Sequence, residues 1–281
     1  MAQAQPDRKL LKRLLHQAGR AIEEFSLIED GDRILVAVSG GKDSLTMLHL
    51  LQRLRERAPI RFDLVACNLD QGHPGFPAGR LEDYLRAQGC EVRMLREDTY
   101  SVVKRLTPEG GTTCAVCSRL RRGILYGAAA EMACSKIALG HHRDDLIESL
   151  LLSMLFSGKI RSMPPKLRSD DGRNTVIRPL CYASEADVAA FAASAAFPVI
   201  PCDLCGSQED LQRRRIKRLL SDLEREHPGV RASLFASMGN VLPAHLLDAR
   251  LYPREVRSGK DPWIDGDGCD TPSPVPQLAR I

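Results

Sequence analysis

RILVAVSGGKDSLTMLHL, residues 33–50, decides the fold. Arg33 to Val38 reads as a strand, and an apolar-periodic helix runs from Leu45 to Arg57. Between them lies Ser39-Gly40-Gly41-Lys42-Asp43-Ser44. At the carboxyl end of a parallel strand, two glycines let the backbone turn sharply and aim successive N–H groups and a helix N-terminus at an anion. Lys42 adds a point charge suited to pyrophosphate, and the hydroxyls of Ser39 and Ser44 can donate to phosphate oxygens. Asp43 can cap the helix or help hold a magnesium ion. The Walker spacing GxxxxGK[ST] is absent, because Lys42 follows the glycines immediately, and so is GxGxxG.

Upstream, Leu10, Leu11, Leu14, Leu15, Ala18, Ile22 and Phe25 fall at helical spacing among basic residues, an amphipathic helix ending before Asp30-Gly31-Asp32. Downstream, strands at 63–69, 91–95 and 136–139 alternate with helices near 79–88, 117–132 and 144–156. Such alternation implies right-handed crossovers and an α/β fold, a doubly wound parallel sheet covered on both faces. The predicted organisation is an N-terminal helix (1–27), a nucleotide-binding domain (28–157), a helical C-terminal extension (158–252) and a disordered tail (253–281). Within the extension, Lys159 to Arg173 reads as an exposed loop, followed by a short strand at Thr175 to Arg178 and helices at 185–195 and 209–226.

The 281 residues are 43% hydrophobic and 27% charged, a soluble globular composition with a net charge of +4. No apolar run reaches bilayer length and the N-terminus lacks the apolar core of a signal peptide, so a cytoplasmic protein without membrane contact is expected. Nine cysteines without an export signal argue against a disulfide framework. Four of them form two CxxC pairs, Cys114 with Cys117 and Cys202 with Cys205, which on spacing alone suit a four-cysteine zinc site, with a redox dithiol as the weaker alternative.

A second loop, Gly140-His141-His142-Arg143-Asp144-Asp145, also lies between strand and helix on the ligand-binding edge. Asp144 and Asp145 can bind magnesium or handle a proton there, or simply favour the first turn of a helix. Asn68 to Asp70 end the second strand as ordinary turn residues, or, on the resemblance of SGGKDS to the loop of the PP-loop ATP pyrophosphatases, lie where the nucleoside would sit.

SGGKDS and GHHRDD together resemble the ATP pyrophosphatases with a PP-loop, which split ATP between its α and β phosphates and place AMP on a carbonyl oxygen. NLDQ at 68–71 with PGF at 74–76, CAVCSRLRRGILY at 114–126, MPPK at 163–166 and IPCDLCGSQ at 200–208 narrow the resemblance to the tRNA 2-thiocytidine synthetase family, from about residue 10 to 248. This resemblance implies ATP, Mg2+ and a [4Fe-4S] cluster held by Cys114, Cys117 and Cys205, with Cys202 an unligated neighbour. It also implies that the substrate is cytidine 32 in a tRNA anticodon loop, adenylated at O2 and then attacked by sulfur.

Two basic runs begin beside the cysteines: Arg119, Arg121 and Arg122 after the first pair, and Arg213, Arg214 and Arg215 after the second. Either run can neutralise RNA phosphates or be a solvated helix face. The partners expected are tRNA, a sulfur donor such as a cysteine desulfurase, and a second copy of the chain, for which an exposed N-terminal helix is suited. Two rivals stay open. One is a tRNA-modifying ligase or amidating synthetase on the same ATP fold with a structural zinc; the other is a non-catalytic RNA-binding module stapled by zinc.

Overall fold

The computed structural model describes residues 7–72, 77–106, 113–169, 172–200 and 209–248. The expected tail lies outside them, as do Cys202 and Cys205, and of Cys114 only the backbone is described. The chain divides into a unit from Met1 to Ser221 and a smaller one from Asp222 to Ile281.

The first unit carries a six-stranded sheet built from β1 (Asp32–Ala37), β2 (Phe62–Asp70), β3 (Glu91–Arg96), β4 (Lys136–Ala138), β5 (Lys166–Arg168) and β6 (Thr175–Ile177). Its order is β3-β2-β1-β4-β6-β5, parallel throughout except that β5 runs antiparallel to β6. The doubly wound α/β reading is therefore correct, and the strands C-terminal to residue 157 complete the same sheet. The stretch from Lys159 to Arg173 is not all loop: β5 forms inside it, a three-residue edge strand too short to show periodicity. An antiparallel edge on a parallel sheet is common in such folds.

Helices α1 (Arg8–Glu24), α2 (Lys42–Arg55) and α7 (Glu185–Ser194) pack against one another. The stripe of α1 through Leu10, Leu14, Ala18 and Ala21 is buried within the chain. Leu35, Val65, Cys67 and Ile137 of the sheet pack with Ala128 and Ala129 of α5 (Thr113–Glu131). Each fully buried Leu or Ile contributes about 1.5–3 kcal/mol, so strands β1, β2 and β4 are firmly anchored in this core. Helices α3 (Ala78–Ala87) and α6 (Arg143–Ser157) follow β2 and β4 as expected, while α4 (Thr99–Leu106) was not foreseen.

Helix α8 (Glu209–Glu226) runs from the first unit into the second. The second unit also holds α9 (Val230–Ser237) and a 3-10 turn at Pro243–His245. There Glu224 accepts from the N–H groups of Gly229 and Arg231, fixing the turn between the two helices.

Candidate active site

Chain order reverses between β1 and β4, which are neighbours in the sheet although β2 and β3 intervene in sequence. A crevice at the carboxyl ends of strands opens at such a switch point. The two loops singled out in the sequence, 39–44 after β1 and 140–145 after β4, both lie there.

In the first loop Gly40 has φ +85°, a left-handed conformation that side chains disfavour, and a Cβ on it would lie 2.7 Å from Ile200 Cδ1. Ile200 N–H donates to the Gly40 carbonyl at 3.0 Å, so the chain entering the second cysteine pair is fastened to this loop. Gly41 caps α2 with no side-chain hydrogen bond, leaving the first-turn amides available to an anion. Ser44 Oγ donates to the Gly41 carbonyl at 2.9 Å and lies 3.3 Å from Ser39 Oγ.

The second loop stacks on the first. A Cβ on Gly140 would lie 3.1 Å from backbone atoms of Asp43 and Ser44, so a larger residue would have to push the two loops apart by a few tenths of an ångström. His142 caps α6: its Nδ1 accepts from Asp145 N–H at 3.4 Å, and the Asp145 carboxylate accepts from His142 N–H at 3.0 Å. That reciprocal pair is a capping box. Asp144 Oδ2 accepts from Glu185 N–H at 2.8 Å, joining α6 to the start of α7. Both aspartates therefore serve helix ends in this structure. Among the described residues no group of three or more His, Cys, Asp and Glu forms a metal cage. A magnesium ion here is consistent with one or two carboxylates plus phosphate oxygens, its usual donor set beside nucleotides.

Asn68 is buried and donates from Nδ2 to the Val38 carbonyl at 2.7 Å, so it fixes the strand end that launches the glycine loop. Asp70 Oδ1 accepts from Gly72 N–H at 2.9 Å.

Four charged residues complete the crevice. Lys42 Nζ lies 3.0 Å from Asp43 Oδ1 and 3.4 Å from Glu185 Oε1. Lys217 Nζ lies 3.0 Å from that same Glu185 oxygen. Glu148, one helical turn beyond Asp144, is 0% exposed. Arg213 Nε at 3.4 Å and Lys217 Nζ at 3.7 Å are near enough for ion pairing, yet neither carboxylate oxygen of Glu148 has a hydrogen-bond partner. Burial pushes its carboxyl up to about 7, against the pull of Lys217. His141 is pushed down to about 4 by burial, with Arg178 adding to the effect, and its Nδ1 is buried without a partner. It is a neutral imidazole at pH 7.

Of these, Glu148, Glu185 and Lys217 were missed in the sequence. Glu148 had a signal: a single charge within the apolar stretch Leu146-Ile147-Glu148-Ser149-Leu150, four residues after Asp144. Glu185 and Lys217 read as ordinary helix-surface charges, and only the fold brings them to Lys42.

Cys114 and Cys117 fall in the first turns of α5. The Cys117 thiol is half-buried and free, 3.2 Å from Gln71 Oε1 just beyond β2, on the same edge of the sheet as the glycine loop. The other described thiols are poor candidates for thiolate ligands. Burial pushes Cys67 and Cys181 up to about 12 and also raises Cys134 and Cys90. Arg119, Arg121 and Arg122 are exposed on α5, as are Arg214 and Arg215 on α8, whereas Arg213 turns toward Glu148.

A family model described as a PP-loop domain matches residues 11–223. The tRNA-cytidine(32) 2-sulfurtransferase of Anaeromyxobacter sp. (strain Fw109-5) is 65% identical over 92% of this chain and 86% of its own length. That of Sorangium cellulosum (strain So ce56) is 56% identical over 95% of each chain. Among solved structures, the U34-tRNA thiolase NcsA from Methanococcus maripaludis with its [4Fe-4S] cluster gives a TM-score of 0.65. The match covers 82% of this chain and 78% of that one at 21% identity, a likeness of fold.

Proposed function

Since the chain belongs to the PP-loop family and, within it, to the tRNA-cytidine(32) 2-sulfurtransferases, we propose that it uses ATP and magnesium to convert cytidine 32 of tRNA to 2-thiocytidine. The observation that carries this reading is the convergence on one sheet edge of the glycine loop, the GHHRDD loop and the Cys117 thiol.

In this reading the α2 amides, Ser39, Ser44 and Lys42 hold the phosphates of ATP, and Asp43, Asp144 or Asp145 supplies carboxylate oxygen to magnesium. The cytosine O2 attacks the α-phosphorus and the bond to the bridging oxygen breaks, releasing pyrophosphate. A poor leaving oxygen has then become AMP. A hydrosulfide sulfur adds at C2 and loses its proton, and the C2–O bond breaks to expel AMP. A loop base can be splayed from its stack to reach such a crevice.

Cys114, Cys117 and Cys205 would hold the iron–sulfur cluster, and the half-buried, free thiol of Cys117 fits that role. When bound, a cluster with three protein ligands supplies an open iron for the incoming sulfur. The exposed arginines 119, 121, 122, 214 and 215 are assigned to tRNA phosphates. Among the described residues no helix is long and apolar enough to cross a membrane, and the reaction is assigned to the cytoplasm. A sulfur donor such as a cysteine desulfurase and a second copy of the chain are further partners in this reading. Pull-down and light scattering test them. The zinc-stapled ligase and binding-module readings are disfavoured by relatives that share more than half of their residues with this chain.

The deciding experiment is mass spectrometry of tRNA nucleosides after anaerobic incubation with protein, ATP, magnesium and a sulfur source. Appearance of 2-thiocytidine with stoichiometric AMP is expected; ATP cleavage without a thiolated base would sink the assignment. Iron and sulfide analysis of Ser variants completes it. Loss at Cys114, Cys117 and Cys205 with retention at Cys202 is expected, and equal loss at all four would point to a four-cysteine site.

A further inference from the structure

Two lysines far apart in sequence meet on one carboxylate at the mouth of the crevice. Lys42 opens α2, and Lys217 lies on α8. Their ammonium groups stand 3.4 and 3.0 Å from Glu185 Oε1, and Lys217 also lies 3.1 Å from Oε2. Burial disfavours charge on all three side chains, but their mutual attraction prevails. Asp43 and Glu185 hold Lys42 above its ordinary range, Glu148 and Glu185 do the same for Lys217, and the two lysines hold Glu185 below its own. All three are therefore charged at neutral pH.

The arrangement is that of an anion site closed by an internal anion. Two cations converge on one carboxylate, and one of them, Lys42, opens a helix whose first-turn amides no side chain caps. Glu185 is held there by its backbone, whose N–H donates to Asp144. A triphosphate arriving at the glycine loop carries more charge than Lys42 alone balances. It can offer each ammonium an oxygen in exchange for the one lost.

We propose that Lys217 is a second cationic ligand of the β and γ phosphates of ATP, and that Glu185 is the internal anion the triphosphate displaces. The inference rests on the reading that residues 39–44 bind those phosphates. Binding transfers two ammonium groups from carboxylate to phosphate oxygen, with no charge left unpaired on either lysine. Departure of pyrophosphate returns both lysines to Glu185.

Calorimetric titration of the full-length, anaerobically purified protein with Mg–ATP and with AMP tests this. AMP lacks both phosphates that Lys217 would hold. Lys217→Gln is expected to weaken ATP binding about tenfold, as for loss of one charge-assisted hydrogen bond, with AMP affinity unchanged. Lys217→Arg should recover most of the loss. Glu185→Gln keeps the shape, removes the competing anion and should tighten ATP binding severalfold.

Loss of ATP affinity in Lys42→Ala but not in Lys217→Gln would overturn the role of Lys217 and leave the glycine-loop reading standing. Unchanged affinity in both would overturn the glycine-loop reading itself. Equal weakening of ATP and AMP by Lys217→Gln would mark mere structural damage and overturn the proposal. If Lys217→Gln does not fold, Glu185→Gln decides alone: unchanged or weaker ATP binding overturns the displacement.

Discussion

The two ends of the sheet each bury a lysine–carboxylate cluster, and the clusters are built differently. At the amino end Lys136, 5% exposed, lies 2.6 Å from both Asp32 and Glu29, and Ser135 donates to Asp32 at 2.6 Å. Burial pushes Asp32 up, but Lys136 and Ser135 outweigh it and hold the carboxyl below its ordinary range. At the carboxyl end Glu148 has two cations nearby and no hydrogen bond, and its carboxyl is raised. A cluster that is complete by itself serves the fold. One with unsatisfied oxygens has been left open beside something else, here the crevice to which the phosphates are assigned above.

The largest separation of the two ends should come from Lys42→Ala, which is expected to cut pyrophosphate release by more than about a hundredfold, as for loss of a group stabilising transition-state charge. Thermal melting should be nearly unchanged, since Lys42 is partly exposed. Equal turnover in the folded variant would break the comparison at its functional end.

Lys136→Met should do the reverse. Removing one partner of a buried pair costs about 3–5 kcal/mol, so denaturant unfolding should shift strongly while the KM for ATP in the surviving folded protein stays put. A variant as stable as wild type would show that the amino-end cluster contributes no stability.

The smallest effect is one of pH. Glu148 faces Lys217, Arg213, Asp145 and Glu185. Its folded value of about 7 lies above the ordinary 4.5, so between those values the folded state keeps a proton that the unfolded chain has lost. Stability from this group is present below pH 4.5 and declines as pH rises toward 7. Glu148→Gln, which mimics the protonated form, should flatten that part of the stability profile. Urea titrations across pH 5 to 8 check it, and an unchanged slope would mean that the proton sits elsewhere.

Much of this was legible in the sequence where local rules are strong. The run Ile34-Leu35-Val36 and the helix opened by Lys42 are dictated by apolar patterning, and the glycine loop between them by backbone freedom at Gly40. Legibility fails where tertiary pairing decides. β5 is made by its register with β6, Leu167 opposite Val176, and its own residues, Lys166-Leu167-Arg168, carry no strand signal. Lys217 lies in QRRRIKR, where any basic residue could face RNA; only the position of Glu185 singles it out. Arg213 likewise belongs to the interior charge cluster although its neighbours Arg214 and Arg215 point to solvent.

The hydrogen bond from Ile200 to Gly40 has a consequence for the order of assembly. The glycine loop can form from contacts close in sequence, β1 with β2 and α2 with β1, whereas the bond to Ile200 closes one of the longest rings in the chain. Loop-closure entropy places such ring closures late, after local contacts are available to reward them. The glycine loop is thus expected to form before its bond to Ile200. Amide exchange at Ile200 then serves as a built-in indicator of whether this late ring has closed.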